Sequence, residues 1–218
     1  VETVGIIFLG LGFGMVAKAQ GHPAIALLAF AGGLLHLWNH ALFKGVMFLG
    51  AGALMHATGT RDMNRMGGLL RRMPITGLIW IGGSLAIAAL PPLNGLVSEW
   101  LIYFSLAGAG LVQSGTAALA PLLLFGLLGL VGALALITFT RLIGICLLGE
   151  PRDPADIRAH DAGPLMLTSM GALLAGCLVI GLYPRAALTL LTHPLADIAG
   201  LPVASQLGQV VAPLGRGA

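Results

Sequence analysis

The sequence predicts an all-α fold, a polytopic transmembrane bundle of about five to six spanning helices with one of them discontinuous. Three observations predict it. First, 57% of the 218 residues are apolar and 9% are charged, with a mean hydropathy of +0.97; an ordinary soluble domain carries roughly 25% charged residues. Second, apolar runs of about 20 residues, enough to cross a bilayer, follow one another with short polar loops between them. Third, one run is interrupted by Pro91-Pro92-Leu93-Asn94-Gly95. A chain this apolar has too few polar residues to coat a soluble fold, which excludes soluble enzymes, nucleic-acid binders and disordered tails. The net charge of +3, from 11 basic and 8 acidic residues, is too small and too dispersed to mark a polyanion partner. Cys146 and Cys177 lie in apolar runs and read as packing residues. The 33 glycines suit helices that pack closely in lipid.

No basic segment or cleavage site precedes the first apolar run, so the chain is expected to be a piece of a longer multi-pass membrane protein, not a secreted one. The first helix is expected over residues 4–19 and is broken by Gly21-His22-Pro23. The second, over 24–57, is longer at ~1.5 Å per residue than a ~30 Å hydrocarbon core, so it must tilt, protrude or bend near Gly32-Gly33. A polar loop over 58–73 carries Arg61, Arg65, Arg71 and Arg72. Apolar runs over 74–90 and 96–112 flank the Pro-Pro break. A further helix is expected over 121–148, then a charged loop over 149–162, then a last clear span over 165–182. Residues 1–185 therefore form the expected bundle, and 186–218 a weakly apolar tail, a partial helix or a surface segment.

Two arrangements fit the break: a loop between two short crossings, or an interruption within one crossing. In the second, the loops at 58–73 and 149–162 share a side with six arginines, Arg61, Arg65, Arg71, Arg72, Arg152 and Arg158, against Lys18 and Arg185 opposite. In the first the split is five against three. Basic residues gather on the cytoplasmic side, which favours the discontinuous helix. Broken helices also expose backbone groups beside buried or wet sites in transporters.

Ionisable residues inside apolar runs need a reason. A charged lysine facing lipid at the bilayer centre costs about 3 kcal/mol or more, so Lys44 is expected to face the bundle interior or water. His40 and His36 lie four and eight residues before it. At 100° per residue the three fall within an arc of about 80° and make one stripe roughly 12 Å long, bordered by Asn39. Histidine titrates near neutrality, and a lysine whose acid partner approaches and recedes is a proton switch. Metal binding by His36 and His40 lacks a third ligand. Glu99 is expected just inside a half-helix N-terminus, where the dipole and free N–H groups stabilise its charge. Ser98 reads as a cap or packing hydroxyl. His56 points about 120° away from Lys44 near the helix end, Arg141 can snorkel, and Glu2 complements a helix dipole; these three are secondary candidates. The acids Glu150, Asp153, Asp156 and Asp161 alternate with Arg152 and Arg158 as a solvated loop. Trp38, Trp80 and Trp100 read as packing or interface anchors. No flavin, iron–sulfur or metal motif is present, so no cofactor and no catalytic centre are expected in this chain.

The stretch His36-Leu-Trp-Asn-His40-Ala-Leu-Phe-Lys44-Gly-Val-Met-Phe-Leu resembles the antiporter-like membrane subunits of respiratory complex I, Mrp-type antiporters and membrane-bound hydrogenases. Val1-Glu2-Thr-Val-Gly-Ile-Ile, Met66-Gly-Gly-Leu with Met73-Pro74, and Leu90-Pro-Pro-Leu-Asn-Gly-Leu-Val-Ser-Glu99-Trp100 agree with it. The last looks most like the hydrogenase-4 component B and formate hydrogenlyase subunit 3 branch. The resemblance implies the C-terminal part of a larger subunit, with a half-channel and a broken helix matching residues 74–112. It places the family's central lysine at Lys44, its histidine pair at His36 and His40, and its broken-helix charge at Glu99. It further implies proton translocation in a cell (inner) membrane, beside other membrane subunits and a peripheral redox arm of a hydrogenase or dehydrogenase. A Na⁺/H⁺ antiporter subunit and a non-conducting scaffold are the alternatives.

Overall fold

The computed structural model describes residues 2–153 and 158–200, and all the regular elements among them are helical. In chain order they are α1 (Glu2–Ala19), α2 (Pro23–Thr58), α3 (Pro74–Ile87), α4 (Asn94–Val112), α5 (Leu119–Leu147), α6 (Pro164–Leu182), α7 (Pro184–Leu190) and α8 (Thr192–Ala199), with short 3₁₀ turns in the loops. Five are long and apolar enough to cross a membrane, and α3 is a shorter apolar helix. The fold is that of a multi-pass membrane protein.

α2 is the spine. Pro23 opens it and Gly59 closes it in the left-handed conformation at φ 70°, its N–H returning to the Met55 carbonyl at 2.8 Å. Its 36 residues form one continuous helix that runs through Gly32-Gly33. Those glycines admit neighbours. A Cβ on Gly33 would press on the α1 backbone at Leu11 and Ile7, and one on Gly32 would press on Ile102 and the Ser98 carbonyl of α4. Gly10 and Gly14 of α1 face Gly33 and Phe30 in turn, so α1 runs antiparallel to α2 in close backbone contact.

The order of partners along α2 decides the nature of the Pro-Pro break. Ile25 lies by Gly108, Gly32 by Ile102, His36 by Ser98, Asn39 by Asn94, Val46 by Gly83, and Met47 by Trp80. The sequence numbers fall steadily from α4 into α3 without reversing. The two helices are therefore halves of one antiparallel pass, interrupted over residues 88–93 at the middle of α2. Within the break Ala89 has φ 54° and the Pro91-Pro92 bond is cis. α6 also runs antiparallel to α2, since Leu42 meets Gly176 and Gly45 meets Leu173. Beyond Tyr183-Pro184, α7 and α8 continue along the same groove. Ala187, Leu188, Leu195 and Ala199 join Ala26, Leu27, Phe30 and Leu35 in one buried cluster. The packed bundle thus extends past residue 185 to Ala199. The rest of the expected tail, 201–218, and Asp156 lie outside the described residues.

A single pass for α3–α4 puts the loops at 59–73 and 148–163 on one side, and they meet there. Gly68 N–H bonds the Leu148 carbonyl at 3.0 Å, Arg152 reaches the Met66 carbonyl at 2.7 Å, and Arg65 pairs with Asp153. The loop acids are thus partly a clamp and not only a solvated face. Asp161 serves α3, whose own N-cap, Met73, offers no side-chain bond. Its carboxylate accepts from Thr76 N at 2.8 Å and Ile75 N at 3.4 Å, while Ala162 N donates to the Thr76 hydroxyl at 3.1 Å. Asp161→Ala is expected to lower stability by about 1 kcal/mol, the usual value of a helix cap, read as an earlier melting transition in detergent. A melting curve that does not move would remove this role from Asp161.

Outer helices bury little of themselves. Leu123, Leu127 and Ile137 of α5 and Leu165 and Val179 of α6 are more than half exposed, as expected of faces that meet lipid or neighbouring subunits.

Candidate functional site

The polar residues of α2 sit around its midpoint and face three different directions. His36 and Asn39 are buried at 1% and 0% exposure and point at α4. His40 and Lys44 are half-buried. Phe43, fully buried, lies between the imidazoles, 6.0 Å from the His36 ring and 5.7 Å from the His40 ring. The expected stripe therefore exists as a row on one helix, but no hydrogen bond joins its members directly among the described residues.

Opposite His36 and Asn39 stands the first turn of α4. The structure starts this half-helix at Asn94, two residues earlier than the apolar pattern suggests. Asn39 Nδ2 donates to the Asn94 carbonyl at 2.8 Å and to Ser98 Oγ at 3.0 Å. His36 Nδ1 and Ser98 Oγ are 2.9 Å apart, and Ser98 Oγ is 3.0 Å from the Gly95 carbonyl. Asn94 and Ser98 are both fully buried. Four side chains from two helices thus converge on the break. Sequence reading missed Asn94 and took Ser98 for a cap or packing group. The signal was present: Asn94 and Ser98 are four residues apart on a half-helix, and His36 and Asn39 three apart on its neighbour, so each pair shares a face.

The earlier helix start also corrects the place of Glu99. It is the sixth residue of α4, in the second turn, beyond the free N–H groups that were expected to serve it. Its carboxylate is 6% exposed and accepts no hydrogen bond among the described residues. It lines a cavity of about 600 Å³ between α4 and α5, with Trp100, Tyr103, Phe104 and Phe125. The small residues Gly129, Gly132 and Ala133 of α5 leave this space open. Lys44 lines a second cavity, of about 650 Å³, whose other walls include Met47, Phe48, Trp80, Thr60 and Arg61. It joins mid-depth to the arginine-rich loop face. The ammonium lies 5.9 Å from the Phe48 ring centre. No ion pair forms at Lys44 among the described residues, though Glu2 lies within electrostatic reach of both Lys44 and Glu99. α1 packs with Gly10 against Gly33, which sets Glu2 near the level of residue 41, not at a membrane surface.

The remaining candidates lie elsewhere. His56 is exposed in the last turn of α2, and Arg141 is exposed on the outer face of α5. Trp80 is a buried packing residue whose indole donates to the Met47 carbonyl at 3.2 Å; Trp38 packs against the core and Trp100 stacks edge-on with Phe104. No group of three or more metal-ligating side chains occurs among the described residues. Chemically, the site offers protonatable side chains near the middle of α2 and α4, at a cavity or an internal polar cluster.

Residues 11–124 match the family described as NADH:quinone oxidoreductase/Mrp antiporter, TM. The chain is 43% identical over 184 residues to formate hydrogenlyase subunit 3 of Escherichia coli (strain K12), an alignment covering 83% of this chain and 30% of that protein. It is 41% identical over 182 residues to hydrogenase-4 component B of the same organism, covering 84% of this chain and 27% of that protein. The chain thus spans less than a third of the length of either relative. Its fold is similar to that in the Mrp complex from Dietzia sp. DQ12-45-1b, with a TM-score of 0.63, 20% identity, and coverage of 91% of this chain and 44% of the other.

Proposed function

The chain belongs to the NADH:quinone oxidoreductase/Mrp antiporter transmembrane family, and from that premise we propose that it moves protons across the membrane as part of a redox-driven complex. The observation that carries the reading is the placement of two ionisable side chains at mid-depth on either side of the break, Glu99 on α4 itself and Lys44 on α2 level with α3, each opening on its own cavity. Charge buried at that depth without a function costs several kcal/mol and is rarely kept. In the proposed relay Glu99 exchanges protons at the α4–α5 cavity, His36 and His40 pass them along α2, and Lys44 holds them beside the cavity that reaches the arginine-rich face. Glu2 supplies the carboxylate that Lys44 senses.

Residues 1–185 carry the conduction, and the segment from 186 onward supports it. The arginine-rich loops set that face as cytoplasmic in the cell (inner) membrane. Electrons come from a peripheral redox arm, and the exposed faces of α5 and α6 offer room for other membrane subunits. The family's description, which takes in the Mrp antiporter, supports a second reading, Na⁺/H⁺ antiport by the same residues.

The test reconstitutes the full-length protein with its complex in sealed vesicles and follows internal pH during redox turnover. Proton movement that needs turnover and persists without Na⁺ is the expected result. Exchange that needs Na⁺ and ignores turnover would overturn it in favour of antiport. An intact complex that turns over and moves no protons would leave the chain a scaffold.

A further inference from the structure

The hydrogen bonds around Ser98 determine which nitrogen of His36 carries the proton. The Asn39 amide is oriented first, because its Nδ2 faces the Asn94 carbonyl, which can only accept. The same Nδ2 donates to Ser98 Oγ. Ser98 has one hydrogen to give and two neighbours that could take it, the Gly95 carbonyl at 3.0 Å and His36 Nδ1 at 2.9 Å. If it goes to Gly95, His36 Nδ1–H donates to Ser98 Oγ and the cluster makes every bond its distances allow. If it goes to His36, the Gly95 contact is lost and Nε2–H becomes a buried donor. His36 Nε2 has no protein partner among the described residues in either pattern, so the number of bonds made at Ser98 decides between them. The first pattern therefore holds.

We propose that Ser98 is a positioning residue that fixes His36 as its Nδ1–H tautomer, leaving Nε2 as the atom through which His36 takes up and releases a proton. The transport part of this rests on the relay proposed above; the tautomer does not. The same cluster holds three more buried polar atoms with no hydrogen-bond partner among the described residues, Asn39 Oδ1 and both side-chain polar atoms of Asn94. Each would cost roughly 1–3 kcal/mol if left unpaired. Their mixture of acceptors with one amide donor suits water, which both gives and takes, better than a bare cation. An excess proton arriving on a water in contact with Nε2, as hydronium, passes to the ring and leaves a neutral water behind. The imidazolium formed keeps its Nδ1–H bond to Ser98, so the proton must leave again by Nε2. Ser98 keeps the ring from turning away.

The decisive measurement is solid-state ¹⁵N NMR of the full-length protein in lipid with labelled histidine, the His36 signal being identified by its loss in His36→Gln. A protonated Nδ1 and a bare Nε2 in the neutral wild-type ring are expected. A protonated Nε2 with a bare Nδ1 overturns the proposal and needs no variant to do so. Ser98→Ala should give a mixture of tautomers and lower proton uptake roughly tenfold, as loss of an orienting partner does elsewhere, while Ser98→Thr should restore both. An unchanged tautomer in Ser98→Ala overturns the positioning role. A shifted tautomer with undiminished uptake overturns the place of His36 in the relay and leaves the tautomer assignment standing.

Discussion

Lys44→Ala in the full-length protein is expected to reduce proton uptake more than tenfold while the complex still assembles. Loss of uptake follows from the proposed relay, in which this amine alone holds the proton beside the cavity that reaches Thr60 and Arg61. Retained assembly follows from its surroundings. Lys44 forms no ion pair among the described residues, so its removal strands no buried partner, and burying an apolar side chain there avoids a charge that costs about 3 kcal/mol at mid-bilayer. Lys44→Arg separates titration from charge. Arginine keeps its proton under all relevant conditions, so it should be as inactive as alanine if the lysine must release a proton. Glu99→Gln should behave alike, since the amide fills the same volume and cannot carry the charge. Vesicle uptake assays alongside native gels check all three. Wild-type uptake in Lys44→Ala and in Glu99→Gln, with normal assembly, would remove both residues from the proposed path.

Gly95→Val is expected to damage the protein most, through the backbone and not through proton chemistry. A Cβ at Gly95 would run into the Ala86 carbonyl oxygen and lie 3.2 Å from Ala89 Cα. Both obstacles are main chain, so neither can swing aside. The two ends of the break would have to separate, which pulls Asn94 and Ser98 from Asn39 and His36. Overpacking of a tight core costs typically 1–3 kcal/mol and occasionally more, and here the loss of the polar cluster adds to it. Sharply lower yield of assembled protein is expected, with no proton uptake in what remains. Gly126→Ala is the control: nothing lies within 4 Å of its Cβ position, and alanine is the better helix former by about 1 kcal/mol. It should assemble at least as well as wild type. Equal assembly of Gly95→Val and Gly126→Ala would mean that the break does not need the close approach of Gly95.

Much of the fold was legible because membrane helices are selected by one dominant property. Runs of apolar residues of bilayer length mark the spans almost by themselves, and proline pairs with glycine mark where helix cannot continue. The arginine bias favoured a single interrupted pass, and the partners of α2 agree with it from Ile25 to Met47. Glycine was less legible. Gly32 and Gly33 read as one place where a long helix could bend, because a missing side chain weakens a helix; in the structure they are where α1 and α4 come into close contact. Composition cannot tell flexibility from contact, since both follow from the same absent Cβ. One loop acid, Asp161, was misread for a related reason. Asp161 looks solvated until the loop at 148–163 folds back on the start of α3.

By itself, then, the sequence determined the class of protein and the order of its spanning helices, because both depend on local apolarity and on what proline and glycine permit. Tertiary structure alone decided that His36 and Asn39 meet Ser98 and Asn94, that Glu99 and Lys44 open on separate cavities, and that Glu2 lies near mid-depth. These are matters of register between helices distant in the chain, and register is set by the fit of many small contacts across an interface, which no single helix contains.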